Sequence, residues 1–204
     1  MTGEMDIYFI YPVLGYLLGS IPFGLLLARL KGVDIRARGS GNIGATNVAR
    51  IIGKGFGLAT LAADILKGLV PVLICKYAMN GQAGQESFMA LTGAGAILGH
   101  CYSIFLRFKG GKGVATAAGV FLAICPFSVF VAIISFLIAA LMSGYVSLGS
   151  LLAAFIIPVA VHFICPGLYF EILAWGTAVL VWWKHRENIQ RLLKGQEKRL
   201  KKTA

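Results

Sequence analysis

Six long apolar stretches constrain the fold of this chain more than any other sequence feature. They span residues 7–30, 56–78, 88–108, 114–142, 146–164 and 168–183. About 20 apolar residues in a helix cross the ~30 Å hydrocarbon core of a bilayer, and a helix satisfies its backbone hydrogen bonds within one such segment. The sequence therefore predicts an all-α, polytopic membrane helix bundle, with residues 1–204 forming a single integral-membrane domain.

The charged residues divide the connections between these stretches into two kinds. Lys and Arg, which give the chain a net charge of +11, concentrate in segments 29–54, 107–112 and 184–202. The other connections have few basic residues and carry Glu4, Asp6, Glu86 and Glu171. Because basic loops stay on the cytoplasmic side, we expect the three basic segments inside and the N-terminus outside. Membrane topology then explains the positive charge without a nucleic-acid partner.

The number of membrane crossings follows from this assignment. Between the basic loop at 107–112 and the basic tail the chain must cross an even number of times, and 146–164 and 168–183 supply two crossings. The stretch 114–142 must therefore cross twice, with a break at Pro126, or not at all. Two helices there give about seven spans, with the N-terminus outside and the C-terminus cytoplasmic. One long helix gives six spans and strands the basic tail outside, so we prefer seven.

Small residues within the stretches are interpreted as packing features. Gly15 with Gly19, and Gly95 with Gly99, have the spacing that lets two helix backbones approach closely. The cysteines include no Cys-x-x-Cys pair and are expected to pack as small apolar side chains. They are Cys75, Cys101, Cys125 and Cys165.

Prolines and a few polar residues also stand out in the apolar stretches. Kinks are expected at the prolines inside or between these stretches, which are Pro22, Pro71, Pro126 and Pro158. His162 is alone in an apolar segment and is predicted to be packed. Asp64 and Lys67 form the one charged pair inside a span. They are either a structural ion pair or a supporting part of a site, and the sequence leaves both interpretations open.

The first of three polar blocks is "RGSGNIGATNVAR" at residues 38–50. Its glycines at 39, 41 and 44 permit a tight backbone whose N–H groups converge on one point. Ser40, Asn42, Thr46 and Asn47 add neutral donors, and Arg50 adds a planar charged fork that suits a phosphate oxygen. The alternative is a well-capped loop that leads into a helix.

The second block is "GHCYSIFLRFKGGKGVAT" at residues 99–116. Its "KGGKG" core lacks the Ser or Thr that follows the lysine of a nucleotide-binding P-loop, so a nucleotide triphosphatase is disfavoured. Glycines beside Lys109 and Lys112 still predict an anion site, although a basic anchor loop would also explain the lysines. His100 lies near the cytoplasmic end of its span, where a polar ring needs a partner.

The third block is "WWKHRENIQRLLKGQEKR" at residues 182–199. His185 and Asn188 are three residues apart and share a face if the segment is helical. Both side chains can hydrogen-bond a polyol or an incoming hydroxyl. The alternative is a basic tail that serves only membrane topology.

The blocks "GSGNIGATNVAR", "GHCYSIFLRFKGGKGVAT" and "KHRENIQRLLKGQE", in this order, resemble the bacterial membrane family of acyl-phosphate:glycerol-3-phosphate acyltransferases. The turn "YVSLGS" at 145–150 is similar to a fourth block of that family. Two departures are Gly144, where an Arg is expected, and Asn42-Ile43-Gly44 in place of Asn-Pro-Gly. The resemblance implies transfer of an acyl group from acyl phosphate to the sn-1 hydroxyl of glycerol 3-phosphate, giving lysophosphatidic acid and phosphate.

The resemblance and the residue chemistry together assign the site. Catalytic roles are expected for Ser40, Lys112, His185 and Asn188. Substrate binding is expected from Ser40, Asn42, Thr46, Asn47, Arg50, His100, Lys109, Lys112, Ser147, His185 and Asn188. The hydroxyl proton is expected to pass to His185, to His100 or to a substrate phosphate oxygen. The His-x4-Asp motif of other glycerolipid acyltransferases is absent from the sequence.

The expected partners are acyl phosphate, glycerol 3-phosphate and the lipid bilayer, with no metal, no cofactor and no obligatory protein partner. The expected location is the bacterial cytoplasmic membrane, with the site facing the cytoplasm. The alternative function is a small transporter for anions or phosphorylated solutes. A transporter places its site near the bilayer midplane between repeated halves, whereas this sequence shows no internal repeat and gathers its polar blocks at one face.

Overall fold

The computed structural model describes residues 7–200. Glu4, Asp6, Lys201 and Lys202, which entered the charge argument, lie outside the described residues. Residues 7–200 contain helices and no strand, which confirms the all-α prediction. They divide into two compact units, residues 7–124 and 125–200. The single-domain organisation stays a prediction, and the units are described separately.

The first unit contains six α-helices and two short 3₁₀ turns. The helices are α1 (Ile10–Ser20), α2 (Phe23–Arg29), α3 (Ala45–Ile52), α4 (Lys54–Ala78), α5 (Gln85–Cys101) and α6 (Val114–Ile124), and the turns are Ile35–Ala37 and Ile104–Leu106. Ile21 is extended, with ψ at 119°, because the ring of Pro22 disfavours helical geometry in the preceding residue. The predicted kink at Pro22 is therefore confirmed as an interruption between α1 and α2.

Close backbone contacts join the helices of the first unit. A Cβ atom on Gly19 would overlap the carbonyl oxygen of Ala96, and one on Gly99 would overlap that of Tyr16. Helices α1 and α5 therefore pack with only hydrogen atoms between their backbones, as the glycine spacing predicts. Helix α4 packs against α1, α3, α5 and α6 and forms the centre of the unit.

The second unit contains α7 (Pro126–Ser143), α8 (Val146–Ile164), α9 (Leu168–Lys184) and α10 (Arg186–Leu193). Pro126 is the first residue of α7, a position where its missing N–H costs no helical hydrogen bond. The predicted break at Pro126 is confirmed. Gly144, with φ at +79°, closes α7 in a left-handed conformation that an Arg would adopt only with strain. Helices α7 and α8 form a hairpin, and α8 also packs against α9.

A disulfide bond joins Cys125 and Cys165. The prediction treated all four cysteines only as small apolar packing residues, and for these two it missed the covalent bond. Cys125 immediately precedes α7 and Cys165 immediately follows α8, so both lie at the end of the hairpin opposite the Gly144 turn. The two cysteines are 40 residues apart in the sequence, and this spacing does not indicate that they lie close together. The prediction is confirmed for Cys75 and Cys101, which are buried and take no part in the disulfide.

Five segments of the described residues are long and apolar enough to cross a membrane. They are Ile10–Arg29, Lys54–Ala78, Gln85–Leu106, Pro126–Ser143 and Val146–Ile164. Val114–Ile124 is apolar but has 11 residues, or roughly 16 Å of helix, and Leu168–Lys184 has 17. Seven spans require both of these shorter helices to cross, so the count of seven stays a prediction.

Candidate active site

The first polar block forms a loop between the Ile35–Ala37 turn and α3. Asn47 holds this loop from inside: its Oδ1 accepts from the Ser40 backbone N–H at 2.9 Å, and its Nδ2 donates to the carbonyls of Arg38 and Asn42 at 3.0 and 2.9 Å. Asn47 is 2% exposed. Asn47 therefore supports the loop, since its amide hydrogens are directed to loop carbonyls, and its substrate contact stays a prediction.

Two glycines let the loop wrap around this amide. Gly39 and Gly41 have φ of +64° and +70°, where a side chain is strained, and a Cβ on Gly39 would also overlap Asn47 Oδ1. Gly44 differs from the prediction, since its φ is −75° and it precedes α3 in extended geometry. Asn42 accepts there from the Gly44 N–H at 3.0 Å, so its side-chain oxygen also supports the loop.

Helix α3 separates an apolar face from a polar one. Ile43 and Val48 are buried with Leu25, Ala28 and Ile35, which anchors the block to α2. Thr46 and Arg50 are exposed and one turn apart, so they lie on the same face of α3. Ser40 is exposed on the preceding loop. The hydroxyls of Ser40 and Thr46 and the Arg50 guanidinium are thus displayed where a phosphate can reach them.

The second block folds back on the end of α5. Arg107 and Phe108 adopt left-handed backbone conformations, with φ of 51° and 62°, which are uncommon for residues with side chains. The following chain returns to α5, where the Gly110 N–H donates to the Cys101 carbonyl at 3.2 Å and the Gly111 N–H to that of His100 at 3.0 Å. Lys112 follows, half-buried, at the start of α6.

Lys109 belongs to the basic part of a cavity in the first unit, and its role in substrate binding stays a prediction. It lines a cavity of about 600 Å³ together with Ile21, Pro22, Leu25, Leu26, Arg29, Arg36, Phe105, Leu106 and Arg107. Apolar walls and basic groups make this cavity suited to an anionic amphiphile. Arg36 already pairs with Asp34 at 2.8 Å, and hydrogen bonds from Arg36 lower the pKa of Asp34 to about 2. Lys112 is absent from the residues that line this cavity.

His100 lies beneath the second block and is only 4% exposed. Its Nδ1 is 3.7 Å from Asp64 Oδ1, and the same carboxylate oxygen is 2.7 Å from Lys67 Nζ. The sequence interpretation of Asp64 and Lys67 as an ion pair is confirmed. No local pattern indicates that His100, on a different helix, lies beside this pair.

The second unit positions His185 at the junction of α9 and α10. Its Nδ1 lies 2.8 Å from the Val181 carbonyl oxygen. Because a carbonyl only accepts, Nδ1 carries the proton, and Nε2 of the neutral ring is an acceptor. His185 is 3% exposed. The ring is therefore held in the tautomer that can accept a proton or a hydrogen bond from a hydroxyl.

A carboxylate that sequence reasoning missed organises the remaining site residues of this unit. Glu197 Oε1 accepts from Asn188 Nδ2 at 2.6 Å and from Ser147 Oγ at 3.0 Å, and Oε2 accepts from Arg191 Nε at 2.7 Å. Glu197 thereby brings Ser147 and Asn188 together. In the sequence these two residues are 50 and 9 positions from Glu197. The available signal was that Glu197 is an acidic residue in a strongly basic tail.

Burial alone would raise the pKa of Glu197, but the hydrogen bonds from Arg191, Asn188 and Ser147 outweigh it and hold the pKa below its usual value. Glu197→Gln removes the charge that these donors share. Because hydrogen bonds to charged groups contribute more than neutral ones, we expect a loss of about 2 kcal/mol and a Tm decrease of roughly 4–8 °C. The matched control is Glu187→Gln, since Glu187 is 72% exposed and 4.0 Å from Arg191 and should barely change Tm.

The sign of the pH dependence follows from the lowered pKa. The stabilisation from ionised Glu197 is present above the ordinary Glu pKa of 4.5 and is lost as the pH falls through the folded-state pKa. Thermal unfolding of wild type and Glu197→Gln from pH 7 to pH 3.5 should therefore show a Tm difference that shrinks at acidic pH. A constant difference would contradict the assignment.

His162 differs from its prediction. It lies in α8, but its side chain is 58% exposed and its Nδ1 is 3.3 Å from Glu171 Oε1. The prediction of a packed ring is wrong, because Glu171 on α9 offers a carboxylate at the surface of the unit. Among residues 7–200, no group of three or more His, Cys, Asp or Glu side chains is placed to hold a metal ion.

Comparison with known proteins identifies the family of this chain. Residues 9–195 match the family model for glycerol-3-phosphate acyltransferase. The glycerol-3-phosphate acyltransferase of Desulfotalea psychrophila is 46% identical over 194 residues, covering 95% of this chain and 98% of its own. That of Geobacter sulfurreducens is 51% identical over 192 residues, covering 94% and 97%.

Solved structures agree in fold. The crystal structure of PlsY (YgiH), an integral membrane glycerol 3-phosphate acyltransferase, in its glycerol 3-phosphate form is 39% identical and covers 95% of both chains with a TM-score of 0.90. The lysophosphatidic acid form of PlsY (YgiH) matches with a TM-score of 0.87. The polar blocks, the helical architecture and these similarities agree: the chain belongs to the glycerol-3-phosphate acyltransferase family.

Proposed function

We propose that this membrane acyltransferase transfers a fatty acyl group from acyl phosphate to the sn-1 hydroxyl of glycerol 3-phosphate. The products are lysophosphatidic acid and inorganic phosphate. The proposed acceptor and product rest on the close match to PlsY in its glycerol 3-phosphate and lysophosphatidic acid forms. Membership of the acyltransferase family also argues against the transporter alternative.

The choice of acyl phosphate as donor is supported by the chemistry of the first unit. Acyl phosphate is a mixed anhydride whose phosphate leaves readily, so positioning and electrostatic stabilisation supply most of the required catalysis. We propose that Ser40, Thr46, Arg50 and Lys112 bind substrate phosphate. Ser40 and Thr46 donate neutral hydrogen bonds, while Arg50 and Lys112 offset negative charge as the phosphate departs.

The reaction balances without a cofactor. The sn-1 oxygen attacks the acyl carbonyl carbon, a C–O ester bond forms, and the C–O bond to phosphate breaks. We propose that His185 Nε2 and the Asn188 side chain orient the attacking hydroxyl, because the Val181 carbonyl fixes the proton on Nδ1 and Glu197 fixes Asn188. The hydroxyl proton goes to His185, to His100 or to an oxygen of the departing phosphate.

The test is an assay with purified protein in defined lipid. We expect phosphate release from acyl phosphate only when glycerol 3-phosphate is present, with lysophosphatidic acid formed in equal amount. Activity with an acyl thioester but none with acyl phosphate would refute the donor. Counterflow of a phosphorylated solute without acyl transfer would instead establish the transporter.

We propose that the protein lies in the bacterial cytoplasmic membrane with segments 31–54, 107–112, 143–149 and 184–204 on the cytoplasmic side. The Lys and Arg content of 31–54, 107–112 and 184–204 supports this orientation, and the 143–149 turn follows from two crossings within 114–142. The Cys125–Cys165 disulfide adds support, since it lies at the opposite end of the α7–α8 hairpin from the 143–149 turn. Disulfides form in oxidising compartments such as the periplasm.

Accessibility of single cysteines tests this orientation. In a background without the native cysteines, Asp34→Cys, Lys109→Cys and Gln196→Cys should react with an impermeant thiol reagent only from the cytoplasmic side. Ala83→Cys, in the exposed connection between α4 and α5, serves as the outer control. Reaction of any of the first three from outside would overturn the proposal.

A further inference from the structure

Three ionisable side chains form a buried group between α4 and the end of α5. Asp64 Oδ1 lies 2.7 Å from Lys67 Nζ and 3.7 Å from His100 Nδ1, and none of the three residues is more than 6% exposed. Asp64 and Lys67 belong to the candidate span Lys54–Ala78, and His100 to Gln85–Leu106. Charged groups inside a membrane are costly unless they are paired, and they commonly serve function.

Lys67 has a structural task in this group. Its Nζ also donates to the carbonyl oxygen of Ile21 at 2.8 Å, and Ile21 precedes the proline that separates α1 from α2. A carbonyl at a helix interruption lacks its helical donor and needs another. Ser103 Oγ donates likewise to the Ser20 carbonyl at 2.6 Å. The contact with Ile21 explains why a lysine is present at position 67. It does not explain why the Asp64 carboxylate also lies near His100.

His100 connects Asp64 to the second polar block. The His100 carbonyl accepts from the Gly111 N–H, and a Cβ on Gly111 would overlap the ring at Nε2. The Gly110–Gly111 turn therefore lies directly on the imidazole. At 3.7 Å the Asp64 carboxylate is beyond direct hydrogen-bond distance, but its charge favours the proton on Nδ1 and attracts that edge of the ring toward α4.

We propose that Asp64 is a positioning residue of the phosphate site. Through His100 it fixes the Gly110–Gly111 turn and hence the adjacent Lys112, while Lys67 balances its charge. Asp64 itself does not touch substrate. This inference rests on the proposed function, which assigns Lys112 to substrate phosphate.

The decisive variant is the double substitution Asp64→Asn/Lys67→Gln, whose glutamine amide keeps a donor for the Ile21 carbonyl. It leaves no unpaired buried charge in the ion pair, and replacing both partners of a buried pair is often neutral for stability. If Asp64 acts through His100, the double variant should keep Tm near that of wild type. The KM for glycerol 3-phosphate or acyl phosphate should still rise about tenfold, as supporting residues of ligand sites typically show. If both Tm and KM of the double variant equal those of wild type, the group is only a structural ion pair and the proposal is overturned.

His100→Gln provides an independent measurement, since it leaves the Asp64–Lys67 pair intact. It should produce the same KM increase at near-normal Tm. The control is Lys76→Met on the same helix, because Lys76 Nζ donates to the Ala123 carbonyl at 3.3 Å outside the group, and both substrate KM values should stay normal. Parallel loss of Tm and activity in the double variant and in His100→Gln would show a purely structural role and refute the inference. If wild-type protein itself transfers no acyl group from acyl phosphate, the proposed function fails instead.

Discussion

Arg50→Lys is expected to lower acyl transfer by roughly tenfold or more, although it conserves the charge. Arg50 lies on the exposed face of α3, one turn from Thr46, where its guanidinium can bind two phosphate oxygens at once. A lysine ammonium is a point charge and does not reproduce that planar fork. Losing one charge-assisted contact corresponds to ~1.5–3 kcal/mol of transition-state stabilisation. Arg50→Ala should lose still more activity, as measured by kcat/KM for both substrates.

Arg38→Ala is the matched control for Arg50. Arg38 is also exposed, but its contact with the loop is through its backbone carbonyl, which accepts from Asn47. Removing its side chain should therefore leave the loop intact and change the kinetics only modestly. A well-folded Arg50→Ala protein with near-normal kinetics would contradict the assignment. The phosphate site would then have to be rebuilt around Lys109 and Lys112.

His185→Ala is expected to lower kcat by about 100-fold, the usual contribution of a positioned histidine that receives a proton or orients a nucleophile. The KM for acyl phosphate should change by less than about threefold, because the residues assigned to phosphate binding are untouched. Steady-state kinetics with each substrate varied in turn separates the two effects.

Two variants sharpen the test of His185. His185→Gln keeps a side chain that can hydrogen-bond but cannot accept a proton, so partial recovery of kcat would indicate orientation of the hydroxyl without proton transfer. His162→Gln is the control, since His162 is largely exposed and pairs with Glu171. Activity of His185→Ala within about threefold of wild type would refute the role of this residue.

The architecture was predictable wherever one local rule decides it. Apolar length identified the membrane helices, proline chemistry identified the interruptions at Pro22 and Pro126, and the spacing of Gly15, Gly19, Gly95 and Gly99 identified a close helix contact. Each of these features depends on residues within one or two turns of each other. The count of spans was less accessible, because the 11-residue α6 is short for a helix that crosses a bilayer.

The site was predictable in composition but only partly in geometry. Periodicity on α3 puts Thr46 and Arg50 on one face, yet nothing in the sequence shows that the Asn47 amide turns inward to hold the loop. Glu197 and the disulfide were missed for the same reason. Their partners are brought together by helix packing, and a single sequence taken by itself contains no record of that packing.

The covalent link between Cys125 and Cys165 also has a consequence for biogenesis. In the proposed orientation, Cys125 reaches the oxidising side well before Cys165 does, and the chain between them must enter the membrane, turn at Gly144 and return. At typical synthesis rates of ~5–20 residues per second, the separation of 40 residues between the two cysteines corresponds to roughly 2–8 s of synthesis. During that interval Cys125 is an unpaired thiol exposed to periplasmic oxidants and to other nascent chains. Closure of the bond therefore marks the moment at which the α7–α8 hairpin has been fully inserted.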